Sequence, residues 1–284
     1  RGRGERDDDA LCGDLHLLTG SMWAVRLYQG LRRPKRPVLG YDVSGVVEAV
    51  GKGVTSFAVG DEVFGESANA GTFAELVAVS EANLAPKPQQ PTHVEAAAVP
   101  TSGLTALQGL RDHGGLRGGH HVLINGASGG VGVFAVQIAH AAGARVTAIC
   151  SAGKAEFVKA LGADRVLDYA QVDFTALDAA YDLILDNVGD RPLAACKGVL
   201  RGGGRYVAVA GSPLRSLGIA LAGGRAATAF IAKPNRKDLD ALAEMVAGGA
   251  LRSVVDRVFP LAETPDALRH LQAGRARGKV VVTP

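Results

Sequence analysis

Seven consecutive residues, Gly126-Ala127-Ser128-Gly129-Gly130-Val131-Gly132, carry the clearest chemistry in this chain. They follow a continuously apolar run, Val122-Leu123-Ile124, and open a stretch of helical periodicity. Alanine at 127 and glycines at 129 and 132 have the spacing of a dinucleotide-binding turn, with alanine in the first place. The small first residue permits the tight bend, Gly129 lets backbone approach a pyrophosphate, and Gly132 lets the helix lie on the strand. The helix start then offers unpaired N–H groups and a partial positive charge to the phosphates. The next strand end reads the other half of the cofactor. Where a carboxylate would accept from an adenosine 2′-hydroxyl, the chain has Ile149-Cys150-Ser151-Ala152-Gly153-Lys154. A carboxylate there would repel a 2′-phosphate, whereas Lys154 attracts one and Ser151 can donate to it, with Tyr169 as a third donor. The expected cofactor is NADPH.

Gly126-Ala127-Ser128-Gly129-Gly130 also fits the Gly-x-Ser-x-Gly nucleophile elbow of an α/β-hydrolase, with Asp256 and His270 following in triad order and His113-Gly114-Gly115 imitating an oxyanion loop. That loop sits too close to Ser128, and a hydrolase needs several strands ahead of its serine. The hydrolase is the weakest reading. No metal site is expected: His120-His121 has no partner at ligand spacing, the other histidines are isolated, and Cys-x-x-Cys is absent.

The elements around the turn repeat a pattern. Strands at 121–125, 145–150, 165–169, 183–186 and 204–210 alternate with helices at 130–142, 154–161 and 191–200, which predicts βαβ units and a parallel sheet. Ahead of them, 95–111 reads as one helix. Residues 43–50, 63–65 and 73–79 read as short strands between glycine turns, hence a small β domain. The tail (strand 254–259, helix 265–273, strand 280–282) is expected to return to that β domain. The division is 1–95 completed by 251–284, with 96–250 as the nucleotide-binding unit.

Composition excludes several classes. A 284-residue chain with 47% hydrophobic and 21% charged residues has ample material for a core. Its net charge of +3 and a single dense basic run at 31–37 do not suggest a nucleic-acid partner. No apolar run reaches the roughly 20 residues that span a bilayer. Three distant cysteines, Cys12, Cys150 and Cys196, exclude a disulfide framework and fit a reducing compartment, so a cytoplasmic location is expected. The first nine residues have no periodicity and begin with Arg1, which reads as either a disordered lead-in or a truncated start.

Over 14–284 the chain resembles the zinc-independent, NADPH-dependent quinone reductase branch of the medium-chain dehydrogenase/reductase superfamily. The resemblance rests on Asp14–Gly20, Val38–Val47, Gly60–Gly65, Ala127–Gly132 and Ala276–Val281. It implies an α/β protein with a GroES-like β domain, truncated at its N-terminus, beside a Rossmann domain with the cofactor in the cleft. Tyr41 stands where zinc-dependent relatives carry a metal-binding histidine, and their four-cysteine lobe is missing, so zinc is not expected. Ser128 to Val131 would meet the pyrophosphate, Ser151, Lys154 and Tyr169 the 2′-phosphate, and Asn187 the nicotinamide ribose. Thr105, Gly211, Phe230, Ala232, Arg277 and Gly278 would line the rest of the cleft. Tyr41 is a substrate-side candidate, and no catalytic acid is assigned. The implied substrate is a small electrophile, a quinone or an α,β-unsaturated carbonyl. The strand 227–231 is expected to form a homodimer through the sheet edge. The alternative is an NADPH-binding protein without turnover.

Overall fold

The structure, a computed structural model, describes residues 37–178, 180–209, 213–274 and 276–284. Cys12, the markers at 14–20, most of the basic run and Gly211 lie outside the described residues.

Six strands form one parallel sheet: β4 (His121–Asn125), β5 (Arg145–Cys150), β6 (Arg165–Asp168), β7 (Tyr181–Asp186), β8 (Leu200–Val209) and β9 (Ala227–Phe230). Their order is β6-β5-β4-β7-β8-β9. The chain builds outward from β4 to β6, then returns to the other side of β4, so the strand order reverses there. Ligands of such sheets bind beyond the carboxyl ends at that reversal. The apolar run in β4 has a simple cause. Val122 and Ile124 join one buried cluster, and Leu123 joins another on the opposite face. Helices α3 (Gly130–Ala141) and α7 (Arg236–Ala247) serve the first cluster, and α5 (Leu193–Gly198) the second. Between them α4 (Ala155–Lys159) follows β5, and α6 (Pro213–Ala222) leads into β9.

The small β unit is an antiparallel sheet of β1 (Asp42–Val46), β2 (Glu62–Glu66) and β3 (Leu84–Pro86). The expected strand at 73–79 is not formed. Its alternating pattern has no partner strand among the described residues; instead the Phe73 amide donates to the Leu39 carbonyl at 3.0 Å as the two segments cross. Gly40 permits that crossing, with a φ of 89° and a position where a Cβ would lie 2.3 Å from Thr72 Oγ1.

The helix expected over 95–111 is three pieces: α1 (His93–Ala97), α2 (Pro100–Gln108) and a wide π-type turn, Gly109–His113. The break falls before Pro100, which has no N–H to continue a helix and so begins one. A Thr92–Glu95 capping box fixes the start of α1. In the tail, β10 (Val255–Pro260) and β11 (Lys279–Thr283) flank α8 (Thr264–Gln272). These strands pair in parallel with each other, in a sheet separate from β1–β3, and pack on α1. The connecting helix forces that outcome, since a βαβ unit makes its own parallel pair.

Candidate cofactor site and domain junction

The turn after β4 is built by backbone. Gly126 takes a left-handed φ of 74°, the Gly129 amide donates back to the Gly126 carbonyl at 3.2 Å, and the Ala127 amide donates to Ile149 of β5 at 2.9 Å. At Gly132 a Cβ would stand 2.2 Å from the Gly126 oxygen and 2.6 Å from Ala127 Cα, so glycine is required for the helix to sit on the strand. Gly129 differs. A Cβ there meets only the Gly126 oxygen, at 3.5 Å, so protein packing does not demand glycine. Gly129 also caps α3 with no side-chain bond. The bare Cα and side-chain-free helix start fit a ligand's phosphate. Ser128 is 8% exposed, and its carbonyl accepts from the Gly278 amide at 3.2 Å. Val131 packs against the core below.

Ser151, Lys154 and Tyr169 are brought together at the ends of the adjacent strands β5 and β6. The Tyr169 amide donates to the Cys150 carbonyl, and the Lys154 amide to the Ser151 carbonyl. Half of the Tyr169 side chain is open, and Lys154 Nζ donates to the Ala276 carbonyl at 2.9 Å. That bond ties the tail loop before β11 to this corner. Gly278, with φ 84°, closes the loop where a Cβ would collide with Val254.

Beyond β7, Asn187 Nδ2 donates to the Asn125 carbonyl at 2.9 Å, while its buried Oδ1 has no partner among the described residues. An orphaned buried acceptor is uncommon and fits a ligand hydroxyl. The segment is held by Asp186, whose Oδ1 accepts from Asn125 and from the amides of Val188 and Gly189. Its Oδ2 accepts from the Tyr206 hydroxyl at 2.5 Å and from Arg215 at 3.1 Å. Burial, reinforced by Asp186, pushes the Tyr206 hydroxyl up, so it stays a donor. No motif signalled this network.

Other expected residues are placed differently. Thr105 is 7% exposed and donates to the Thr101 carbonyl at 2.6 Å. Phe230 is committed to the core, its ring 4.4 Å from that of His113. Ala232 packs against the same cluster, and Arg277 is exposed. Tyr41 is half-buried, its carbonyl accepting from the Ser67 amide at 2.8 Å. Asp256 and His270 do pair, at 2.6 Å, but through His270 Nε2, the nitrogen a hydrolase triad would turn to its serine. Burial pushes the thiols of Cys150 and Cys196 up to about 11 and about 12, which keeps them protonated and unreactive. Among the described residues no cluster of three His, Cys, Asp or Glu could hold a metal, and no helix is long and apolar enough to cross a membrane.

Sequence reasoning missed a polar junction beside α3. Lys279 Nζ donates to Asp42 Oδ2 at 2.9 Å and to Ser102 Oγ at 3.0 Å, and the Thr101 amide donates to Asp42 Oδ1 at 2.7 Å. The Lys279 stem passes 3.5 Å from where a Gly130 Cβ would be, so this cation reaches the helix start. Glu66 lies next to them. Burial and then the charge of Asp42 raise its carboxyl to about 7, against the pull of the Thr101 hydroxyl and Lys279. The signal for Lys279 was its place in the tail marker; Glu66 had none.

Two known families match. Residues 10–89 match the alcohol dehydrogenase GroES-like domain, and 161–282 match a family described as zinc-binding dehydrogenase. The mouse mitochondrial NAD(P)H oxidoreductase RTN4IP1 is 37% identical over 276 residues, covering 86% of this chain and 69% of that protein. The Arabidopsis thaliana chloroplast envelope quinone oxidoreductase homolog is 33% identical, covering 91% and 85%. The quinone oxidoreductase structure from Coxiella burnetii superposes with a TM-score of 0.85 at 31% identity, covering 95% of this chain and 86% of that one. With both units matched and the sheet order of a nucleotide-binding domain, the chain is an oxidoreductase that belongs to the medium-chain dehydrogenase/reductase family, in its quinone oxidoreductase branch.

Proposed function

We propose that this protein binds NADPH and reduces a small electron-poor acceptor, a quinone or an α,β-unsaturated carbonyl, without zinc. The observation that carries the cofactor reading is the corner at Ser151, Lys154 and Tyr169, which offers a cation and two hydroxyls beside the open glycine turn, while the adjacent Asp168 carboxylate is engaged by the Ala170 amide. The relatives named above are described as acting with NAD(P)H or on quinones, which supports the reaction class.

Ser128, Gly129, Gly130, Val131 and Gly132 form the pyrophosphate cradle. Lys154 exchanges the Ala276 carbonyl for the 2′-phosphate, and Asn187 Oδ1 accepts from the ribose. Thr105, Ala232, Arg277 and Gly278 border the cleft, with Phe230 supporting it from the core and Tyr41 on the substrate side. The bound nicotinamide supplies a hydride; the chain supplies orientation and a dry, fixed position for the acceptor. Acceptors already activated by conjugation need no metal to polarise them. The working division is 1–95 with 251–284, and 96–250. The edge strand β9, flanked by the exposed Ile231, Leu217 and Leu221, supports a homodimer that extends the sheet. A monomeric mass in solution would remove that part.

The test is a fluorescence titration with NADPH and NADH, followed by NADPH oxidation with a quinone and an enone. Tighter NADPH binding that Lys154→Ala abolishes, together with acceptor-dependent oxidation, is expected. Equal affinities sink the phosphate assignment. Tight binding with no oxidation by either acceptor favours a binding protein instead.

A further inference from the structure

Glu66 ends β2 directly opposite Asp42 of β1. Both Asp42 oxygens are already taken, one by the Thr101 amide and one by Lys279. Two oxygens of this junction have no such use. Glu66 Oε2 and Thr101 Oγ1 are both buried; the Thr101 hydroxyl pulls on the Glu66 carboxyl, yet neither oxygen completes a hydrogen bond among the described residues. Buried polar atoms are ordinarily hydrogen-bonded, so two left incomplete side by side can take a ligand oxygen.

Their position says which ligand. Thr101 lies one turn before Thr105 on the same face of α2, since Thr105 Oγ1 donates to the Thr101 carbonyl. Tyr41 adjoins Glu66 across the ladder, its carbonyl bonded to the Ser67 amide. The pair therefore stands one turn along α2 from Thr105, which borders the cleft in the reading above. The charged groups facing Glu66 are Asp42 from β1 and Lys279 from β11, and α2 contributes the Thr101 hydroxyl. Lys279 and Asp42 neutralise each other, so a carboxylate formed at Glu66 stays close to a cation.

We propose that Glu66 is the proton donor to the reduced acceptor, with the Thr101 hydroxyl holding the acceptor's oxygen beside it. This rests on the reaction read under Proposed function. Hydride delivered to a conjugated carbonyl leaves an enolate, and to a quinone a hydroquinone anion. The Glu66 O–H bond breaks and an O–H bond forms on that oxygen. The electron pair of the broken bond remains on Glu66 as a carboxylate, which regains a proton from water. No electron changes hands in this step, because the hydride brought both. A carboxyl that titrates near 7 suits the role, being substantially protonated at neutral pH yet a willing donor.

The experiment compares the wild type with Glu66→Gln and Thr101→Val. In the cofactor-free wild type, a protonated-carboxyl infrared band that fades near pH 7 and is missing from Glu66→Gln is expected. In turnover, Glu66→Gln should lose about 100-fold or more in kcat and lose the fall in rate above pH 7. Its NADPH affinity should stay within about threefold. Thr101→Val should lower kcat/KM about tenfold with the pH break retained. Should the glutamine variant fail to fold, the wild-type band and Thr101→Val still decide the matter. An absent band, a glutamine variant that turns over like the wild type, or one that keeps the pH break overturns the assignment of Glu66 alone. A wild type that binds NADPH but reduces neither acceptor overturns the reaction itself, and the donor with it.

Discussion

Two sites meet at the start of α3, and they are made in opposite ways. The glycine turn uses contiguous residues and mostly backbone, with its geometry fixed by where a Cβ cannot fit. The junction of Asp42, Glu66, Thr101, Ser102 and Lys279 uses side chains from β1, β2, α2 and β11, and its chemistry is fixed by charges sharing a half-buried space. The first is rigid and is built without any titrating side chain. The second couples the β unit to the nucleotide-binding unit through groups that can gain or lose a proton. A local motif suffices for the first. The second exists only after the chain has folded.

The sharpest way to break that contrast is within the turn. Gly132→Ala places a methyl 2.2 Å from the Gly126 oxygen, so stability should fall by about 3 kcal/mol and NADPH binding should disappear. Gly129→Ala, with its nearest contact at 3.5 Å, should melt like the wild type and still lose cofactor affinity. Thermal melts beside fluorescence titrations check both. Equal melting losses would mean that Gly129 serves packing and not a phosphate.

At the junction, Lys279→Met leaves Asp42 and Glu66 without their cation. Their half-buried position sets the cost at about 2–3 kcal/mol in denaturant unfolding, less than for a fully buried pair because Asp42 and Lys279 each keep 17% exposure. The neighbouring Glu66 gives a pH signature. Its folded value of about 7 lies above its ordinary 4.5, so the folded state holds the extra proton between those values. Its contribution to stability is therefore fully present below about pH 4.5 and declines as pH rises toward 7, by at most about 3 kcal/mol. Glu66→Gln should flatten that decline in unfolding curves taken from pH 5 to 8. A slope identical to the wild type's would place the titrating group elsewhere.

The same contrast explains what the sequence disclosed. β4, β5 and the start of α3 stand where periodicity and glycine spacing put them, because each is decided by neighbours in the chain. The corner at Ser151, Lys154 and Tyr169 was legible because strand ends in a parallel sheet share one edge. The strand expected at 73–79 failed because alternation describes a face and cannot supply a partner strand. The helix expected over 95–111 broke at Pro100, where a missing donor outweighed periodicity. The Asp186–Tyr206–Arg215 network and Glu66 were invisible, since burial and pairing between distant segments have no local signature.

Asn187 offers the smallest and most discriminating effect, because it belongs to both kinds of site. Its Nδ2 secures the end of β7 to Asn125, as a structural residue would, while its Oδ1 is buried without a partner among the described residues. In the ligand-free protein, Asn187→Ala removes one bond worth about 1 kcal/mol and also removes an unsatisfied acceptor, and the two nearly cancel. Stability should shift by no more than about 0.5 kcal/mol. If the orphaned oxygen waits for the ribose, NADPH and NADH should both bind about tenfold more weakly, or about 1.4 kcal/mol, with the preference between them unchanged. Lys154→Ala should do the reverse, changing the preference and leaving NADH affinity alone. An Asn187→Ala variant that loses stability and keeps its affinity would make this residue part of the scaffold, and would leave the receptor to the glycine turn and the phosphate corner.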